Sequence, residues 1–413
     1  MSPPFYLIIM NREQIQNDIL HLESYTNILL KLATGVGKTK LALELIDQRA
    51  SGPILIVYPK VTLKDEWLKE IKKWSKEYLL PNITFTTYAS LHKHAVDKDG
   101  NSIRYSICVF DEAHHLSEKK RDIFRTFTSD NNILLSATIN RKLDAELHRL
   151  FRGLHTYTVS TRDAIENEIL PDPTVILIPL ALKNQRTTCS FIVNPKAKNT
   201  ITREFNISIS NYWRLKKSKC KATMVGTPVE YHSLLCSLIE FYRLRQHNPI
   251  MKNIFLRLSG ERLEWLSSLK NNHIKDILKV LKNDKTITFC SNIAQAELLG
   301  SNAIHSQNKK SEELKEKFNT GKIKHITSVA MLNEGVNLTN CKYGIWARYN
   351  TSEVMVVQKI GRILRHKTPY IVLPYFENTR EEEIVISMMQ KTKSSKTYRV
   401  RTLEQFKTTI GGK

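Results

Sequence analysis

Residues 27 to 48 read NILLKLATGVGKTKLALELIDQ, and few folds accept that order: an apolar run of strand length, a turn with glycines at 35 and 37, then apolar residues at helical spacing. A strand that feeds a helix through such a turn belongs to a mostly parallel sheet covered by helices. The turn aims backbone N–H groups and the positive end of a helix dipole outward, and Gly35 and Gly37 allow an anion close to the backbone. Three later strings extend the pattern: DEAH at 111–114 after the apolar run YSICVF, SAT at 136–138 closing NILLSAT, and QKIGRILR at 358–365. In open α/β sheets ligands bind at the carboxyl ends of strands, which is where Asp111, Glu112, Ser136 and Thr138 fall.

The residue types suit phosphate chemistry. Lys38 and Thr39 follow the turn in the order a phosphate-binding loop uses, an ammonium for the β- and γ-phosphates and a hydroxyl for Mg²⁺. Thr34, Gly35, Val36 and Gly37 supply the cradle, with Leu32 where the common spacing rule has its first glycine. Asp111 is placed to hold the metal and Glu112 to orient and deprotonate a water. His114 is expected to hydrogen-bond across the cleft, while Ser136 and Thr138 relay the state of the site to Asp111, Glu112 and His114. Gln358, Arg362 and Arg365, four and three residues apart, share a helix face from which two arginines can clamp a transferring phosphoryl group. Zinc is not expected: His114 and His115 have no Cys or further His at ligand spacing, and Cys189, Cys220, His232 and Cys236 are irregularly spaced.

Taken in order, these strings resemble the motifs of superfamily 2 helicases of the DEXH-box kind. ATGVGKT resembles motif I, VYPKVTLKDEW at 57–67 motif Ia, TTYASL at 86–91 motif Ib, DEAHH motif II and SAT motif III. Further on, ITFCSN at 287–292 resembles motif IV, TSVAMLNEGVNL at 327–338 motif V and QKIGRILR motif VI, so the resemblance covers residues 11–182 and 283–390. It implies two RecA-like α/β domains with parallel sheets, and ATP with Mg²⁺ in the cleft between them. It also places Gly335 and Asn337 toward the nucleotide, and Lys60, Thr87, Tyr88, Ser291 and Thr327 toward nucleic acid. An adenine-reading glutamine is expected after Arg12, as Gln14 or Gln16. Asn337 stands where the family usually has an acid, and Lys359 where it often has arginine. The DEAHH form is closer to DNA repair, branch-migration and restriction-type motors than to the DEAD-box group. The implied activity is ATP hydrolysis coupled to unwinding or branch migration of duplex or junction DNA by a monomer, with DNA favoured over RNA. An RNA helicase, a translocase that does not separate strands, and a nucleic-acid-binding module with an idle motor are the alternatives.

Charge supports a polyanionic partner. The 413 residues carry a net +23, and residues 183–285 hold 20 Lys and Arg against 7 Asp and Glu, residues 391–413 7 against 1. The organisation expected is a first domain over 1–160, a hinge at 161–173 and a second domain over 174–390. The second domain is interrupted by a basic, mixed strand and helical insertion at 183–285, and a basic tail follows at 391–413. Within the insertion, NYWRLKKSK sets Tyr212 and Trp213 among Arg214, Lys216 and Lys217. Such a cluster either stacks on unpaired bases or anchors a small core beneath solvated cations. Six cysteines without a CxxC pair fit a reducing, cytoplasmic setting, and PPFYLIIM is too short to span a bilayer or act as a signal peptide.

Overall fold

A computed structural model describes residues 11–411 apart from 98, 117–127, 183–188, 195–196, 330–337, 339, 350–352 and 393. The first sheet is built from β1 (Asn27–Leu32), β2 (Ile54–Tyr58), β3 (Ile83–Thr87), β4 (Arg104–Phe110), β5 (Thr128–Ser136) and β6 (His155–Val159). Its order is β3-β2-β4-β5-β1-β6, with every pairing parallel. Helices cover both faces, so the central strands carry continuous buried apolar runs, as Ile28, Leu29, Leu30 and Ile107 through Phe110 show. Parallel pairing sends every carboxyl end to one edge. That edge gathers the glycine turn, Asp111 and Ser136.

β7 (Thr174–Leu180) opens the second sheet, and the insertion then builds β8 (Cys189–Val193), β9 (Thr200–Asn206) and β10 (Lys221–Gly226) in the order β8-β10-β9. The helices Pro228–Arg243 and Pro249–Leu269 pack on this small sheet around Phe191, Tyr212, Met224, Leu238 and Leu258. The second of these helices runs back into the motor. Its Ser267 hydroxyl reaches the Ala347 carbonyl at 2.7 Å, and the next residue beyond it, Lys270, is fully buried with its ammonium 2.5 Å from Glu381. Buried polar contacts therefore fix the insertion to the second sheet.

β11 (Thr286–Phe289), β12 (Ala303–Ile304), β13 (His325–Ser328), β14 (Tyr343–Trp346), β15 (Tyr370–Phe376) and β16 (Lys396–Arg399) complete that sheet. Its order is β12-β13-β11-β14-β15-β7-β16, again parallel throughout. The architecture is the expected pair of RecA-like α/β domains with parallel sheets and a mixed insertion. Two segments differ from their sequence reading. Asn271–Val280 lies inside the stretch read as insertion, yet Ile274 and Ile277, on one helix face, pack into the second sheet's core with Ile176 and Val372. The described part of the segment read as a basic tail, 391–413, contributes to the second domain. β16 pairs with β7, Val400 and Phe406 enter the same core, and Arg401 is neutralised by Glu377 at 3.0 Å. No described helix is long and apolar enough to cross a membrane.

Candidate nucleotide site

The glycine turn has the conformation its composition requires. Gly35 and Gly37 have φ of +99° and +112°, a region side chains rarely adopt. Gly37 caps the helix Lys38–Arg49 without any side-chain cap, so its first N–H groups stay open to a ligand. A Cβ on Gly37 would meet nothing within 4 Å, whereas one on Gly35 would come within 3.1 Å of Leu170. The segment joining the domains thus closes against the turn, and the Arg12 guanidinium holds it by donating to the Ile169 carbonyl at 3.1 Å.

Opposite the turn, Asp111 sits half-buried just past the end of β4. Trp67 Nε1–H donates to its Oδ2 at 3.1 Å, the Glu112 N–H to its Oδ1 at 3.0 Å, and the Tyr88 hydroxyl to its carbonyl at 2.8 Å. Burial first, and the Glu112 charge second, push the Asp111 carboxyl up to about 6. Glu112 itself has φ of +50°, an uncommon conformation for a residue with a side chain, which aims its carboxylate at Lys38. Lys38 Nζ is buried, makes no hydrogen bond among the described residues and lies 3.6 Å from Glu112 Oε1. An unsatisfied ammonium, an open row of N–H groups and a carboxyl raised by burial are what a magnesium nucleotide would relieve. The donor set fits it, with Thr39 and Asp111 as the residues that would hold the metal.

The residues expected to relay the state of the site meet through the backbone as much as through side chains. His114 Nδ1 lies 3.4 Å from Glu112 Oε2 and 3.2 Å from Ser136 Oγ. The Ser136 hydroxyl donates to the Thr138 carbonyl at 2.8 Å, which assigns the proton of that pair to His114. Thr138 joins through its carbonyl and N–H, while its own hydroxyl is buried and makes no hydrogen bond among the described residues.

The helix Glu353–Ile363 brings the second domain onto this site. A Cβ on Gly361 would lie 2.3 Å from the Thr34 Cβ, so the helix rests directly on the glycine turn and only glycine fits there. Gln358 and Arg362, on the same face, are 4% and 5% exposed. Arg365 lies further out, where its charge feels Glu66 and Glu70 of the helix Leu63–Lys73. Of the two glutamine candidates, Gln14 is committed to a capping box with Asn11, whereas Gln16 accepts from Lys40 of the phosphate-loop helix at 2.9 Å. Gly335 and Asn337 lie outside the described residues. Sequence reading missed Trp67 and Leu170 as site residues. Trp67 belongs to the motif Ia string, but nothing in the string tells that its indole turns to Asp111.

The nucleic-acid candidates divide. Lys60 is exposed, and Thr87 and Ser291 are half-buried at strand ends. Tyr88 and Thr327 are corrections: Tyr88 is packed among Val57, Leu91 and Phe110, and Thr327, fully buried, donates its hydroxyl to the Ala296 carbonyl at 2.9 Å. Tyr212 is a third. It fills the insertion core at 1% exposure and donates to Glu261 at 3.2 Å, because the helix Ile209–Ser218 turns Tyr212 and Leu215 inward. Trp213 packs edge-on against Tyr212 and Tyr242, and Lys216 pairs with Glu261 at 3.4 Å. Arg214 and Lys217 remain exposed, Arg214 lying over Phe205.

Two parallel-sheet domains meeting over a phosphate loop, an acid pair and an arginine-bearing helix define a RecA-like motor that hydrolyses ATP. Residues 8–141 match the family model of the type III restriction enzyme res subunit, and residues 269–367 that of the helicase conserved C-terminal domain. The two matches together place the chain in the superfamily 2 helicase class and support nucleic-acid-dependent ATP hydrolysis. It is 24% identical over 365 residues to DNA 3'-5' translocase XPB2 of Sulfurisphaera tokodaii, covering 82% of this chain and 75% of that one. QP509L of African swine fever virus, named for a proposed ATP-dependent RNA helicase activity, is 29% identical over 153 residues, 32% of this chain and 29% of its own length. Among solved structures, S. cerevisiae Dbp5 bound to RNA and ADP BeF3 matches 96% of this chain and 92% of its own with a TM-score of 0.60 and 13% identity. The ATP-dependent type ISP restriction-modification enzyme LlaBIII bound to DNA matches 99% of this chain and 32% of its own, with a TM-score of 0.55 and 14% identity. At such identities the structural likeness concerns the fold alone.

Proposed function

We propose that this chain is a DNA motor that couples ATP hydrolysis to movement along duplex or branched DNA and separates or migrates strands at junctions. The observation that carries the reading is the seating of Gly361 on Thr34 with Gln358 and Arg362 buried beside it. An arginine helix of the second domain that completes a phosphate site of the first makes domain closure and hydrolysis one event. In this cleft Lys38 and the turn N–H groups bind the phosphates. Glu112, held by Lys38 and His114, takes the proton of the attacking water, and Arg362 with Arg365 steadies the transferring group. Mg²⁺, when bound, supplies charge neutralisation across the phosphates. Gln16 rather than Gln14 is the adenine reader, since Gln14 is occupied by its capping box. The first motor unit is 1–160, and 161–173 is the hinge, whose Leu170 bears on Gly35; the second unit begins at 174 and runs past 390, because β16 and the helix Leu403–Thr409 belong to its sheet and core.

DNA is favoured over RNA because the relative named for DNA translocation aligns along most of the chain, whereas the one named for RNA aligns with a third of it. The test is ATP hydrolysis by wild type and Glu112→Gln, alone and with single-stranded DNA, duplex, forked DNA, a four-way junction and RNA. Strongest stimulation by branched DNA, lost in the variant, is the expected result. Stimulation by RNA alone would overturn the substrate, and equal stimulation by plain duplex without strand displacement would reduce the activity to translocation.

A further inference from the structure

The second sheet has a crevice of its own. From β11 the chain runs out to β12 at the sheet edge and back to β13 beside β11, then crosses to β14 and β15 on the other side, so strands on the two sides of the β11/β14 pair are reached by opposite crossings. Ligands of open parallel sheets bind at such a switch, outside the carboxyl ends of the strands. At the ends of this pair, where Phe289 is in register with Trp346, stand two cations. Arg348 donates from Nη1 to the Ser291 carbonyl at 3.2 Å, and its Nε is buried without a hydrogen-bond partner among the described residues. Lys359 is 6% exposed, with its ammonium over the Phe289 ring at 5.0 Å from the centroid.

Among the described residues neither cation is paired with a carboxylate. Lys270, as deeply buried, has Glu381 against it, and Lys38 has Glu112. An ammonium enclosed without a counter-ion and beside a second cation is unfavourable by itself, and arrangements of that kind cluster where a ligand supplies the missing charge. The charged and titratable groups around Lys359 are Arg348 and the Cys290 thiol, which burial pushes up to about 12 and so keeps neutral. Burial and Arg348 together lower the Lys359 ammonium to about 8. Gln358 and Arg362, on the face of the same helix that meets Thr34, serve the nucleotide, while Lys359 turns to the end of β11.

We propose that Arg348 and Lys359 form a phosphate seat at the β11/β14 crevice, which holds one backbone phosphate of the strand the motor tracks. The proposal rests on the reading of the chain as a nucleic-acid motor. Shared phosphate chemistry leaves two sources, a nucleic-acid phosphodiester and a phosphate of the nucleotide across the cleft, and we assign the first because Lys359, two positions from Gly361 on the helix, lies over Phe289 at the end of β11 and not on the face that meets Thr34.

The experiment measures Kd for a fluorescein-labelled single strand and duplex, by anisotropy between about 50 and 300 mM salt, and KM for ATP, with full-length wild type, Lys359→Gln, Arg348→Gln and Lys359→Arg. Lys359→Gln should raise Kd about 5- to 10-fold and reduce the slope of log K against log salt by about 0.7 to 0.9, the contribution of one phosphate. Lys359→Arg should restore both, and wild-type binding should weaken as pH rises from about 7 to about 9.5 while the arginine variant stays flat. Melting temperatures report folding of each variant. Unchanged Kd and slope in Lys359→Gln and in Arg348→Gln would overturn the seat. A raised KM for ATP with unchanged Kd would transfer it to the nucleotide. A wild type that binds neither strand nor duplex would overturn the motor reading itself, a different result from binding that is indifferent to these residues.

Discussion

The two parallel sheets are built alike and present opposite chemistry at their carboxyl edges. On the first, one ammonium, Lys38, faces two carboxyls, Asp111 and Glu112. On the second, Arg348 and Lys359 stand without a carboxylate among the described residues. Burial moves the key groups in opposite directions, the Asp111 carboxyl up to about 6 and the Lys359 ammonium down to about 8. In each case the enclosed group is left short of a charge of the other sign. Topology decides where a ligand can sit, and the few residues at strand ends decide its sign. A magnesium-bearing nucleotide suits the first edge, a bare phosphate the second.

If the edges form one machine, removing the residue that bridges them should have the largest effect. Arg362→Ala should lower the stimulated rate of hydrolysis by about 10³- to 10⁵-fold, measured as phosphate release at saturating ATP and nucleic acid. A loss below tenfold would mean that the second sheet's helix does not act on the nucleotide. Gly361→Ala asks the same question sterically. Its methyl would fall 2.3 Å from the Thr34 Cβ, so the helix must move off the turn, and a displacement of about 1 Å costs on the order of 10²-fold. Thr34→Gly in the same chain removes the opposing atom and should recover part of that loss. Failure of any such recovery would show that Gly361 matters for the helix itself and not for its seat.

What was legible in the sequence was what is contiguous in it. The glycine turn, the acid pair and the arginine helix each occupy one short string, with the strand or helix that positions them on either side, so local pattern and chemistry agree. Trp67 on Asp111 and Leu170 under Gly35 come from segments 44 and 135 positions away, and no local pattern encodes such meetings. Tyr88, Thr327 and Tyr212 were misplaced for a related reason. An aromatic or hydroxyl side chain beside polar neighbours reads the same whether it points to solvent or inward. In Ile209–Ser218 the helical period turns Tyr212 to the core and Arg214 and Lys217 outward within six residues. The basic C-terminal segment failed similarly, since charge outlines its exposed face and leaves the buried contacts of Val400 and Phe406 unannounced.

The smallest expected effect is thermodynamic, and it separates the two edges most cleanly. The Asp111 carboxyl titrates near 6 in the folded chain against 3.8 without its surroundings, so between those values the folded protein keeps a proton that the unfolded chain has released. Stability must then fall as pH rises from about 4 to about 6 and stay lowered above that, by on the order of 1–3 kcal/mol. Asp111→Asn abolishes this slope. The amide keeps an acceptor for one of the two donors, Trp67 Nε1–H and the Glu112 N–H, and loses about 1 kcal/mol at the other, a loss independent of pH. Melting curves in EDTA without nucleotide, from pH 4.5 to 7.5, should therefore show wild type losing a few degrees relative to the variant as pH rises. Mg²⁺ with ADP should erase the difference in slope, because a cation beside the carboxylate draws its pKa back down. Parallel curves for the two proteins without ligand would mean that Asp111 is not held short of positive charge, and the contrast drawn between the two edges would lose its first half.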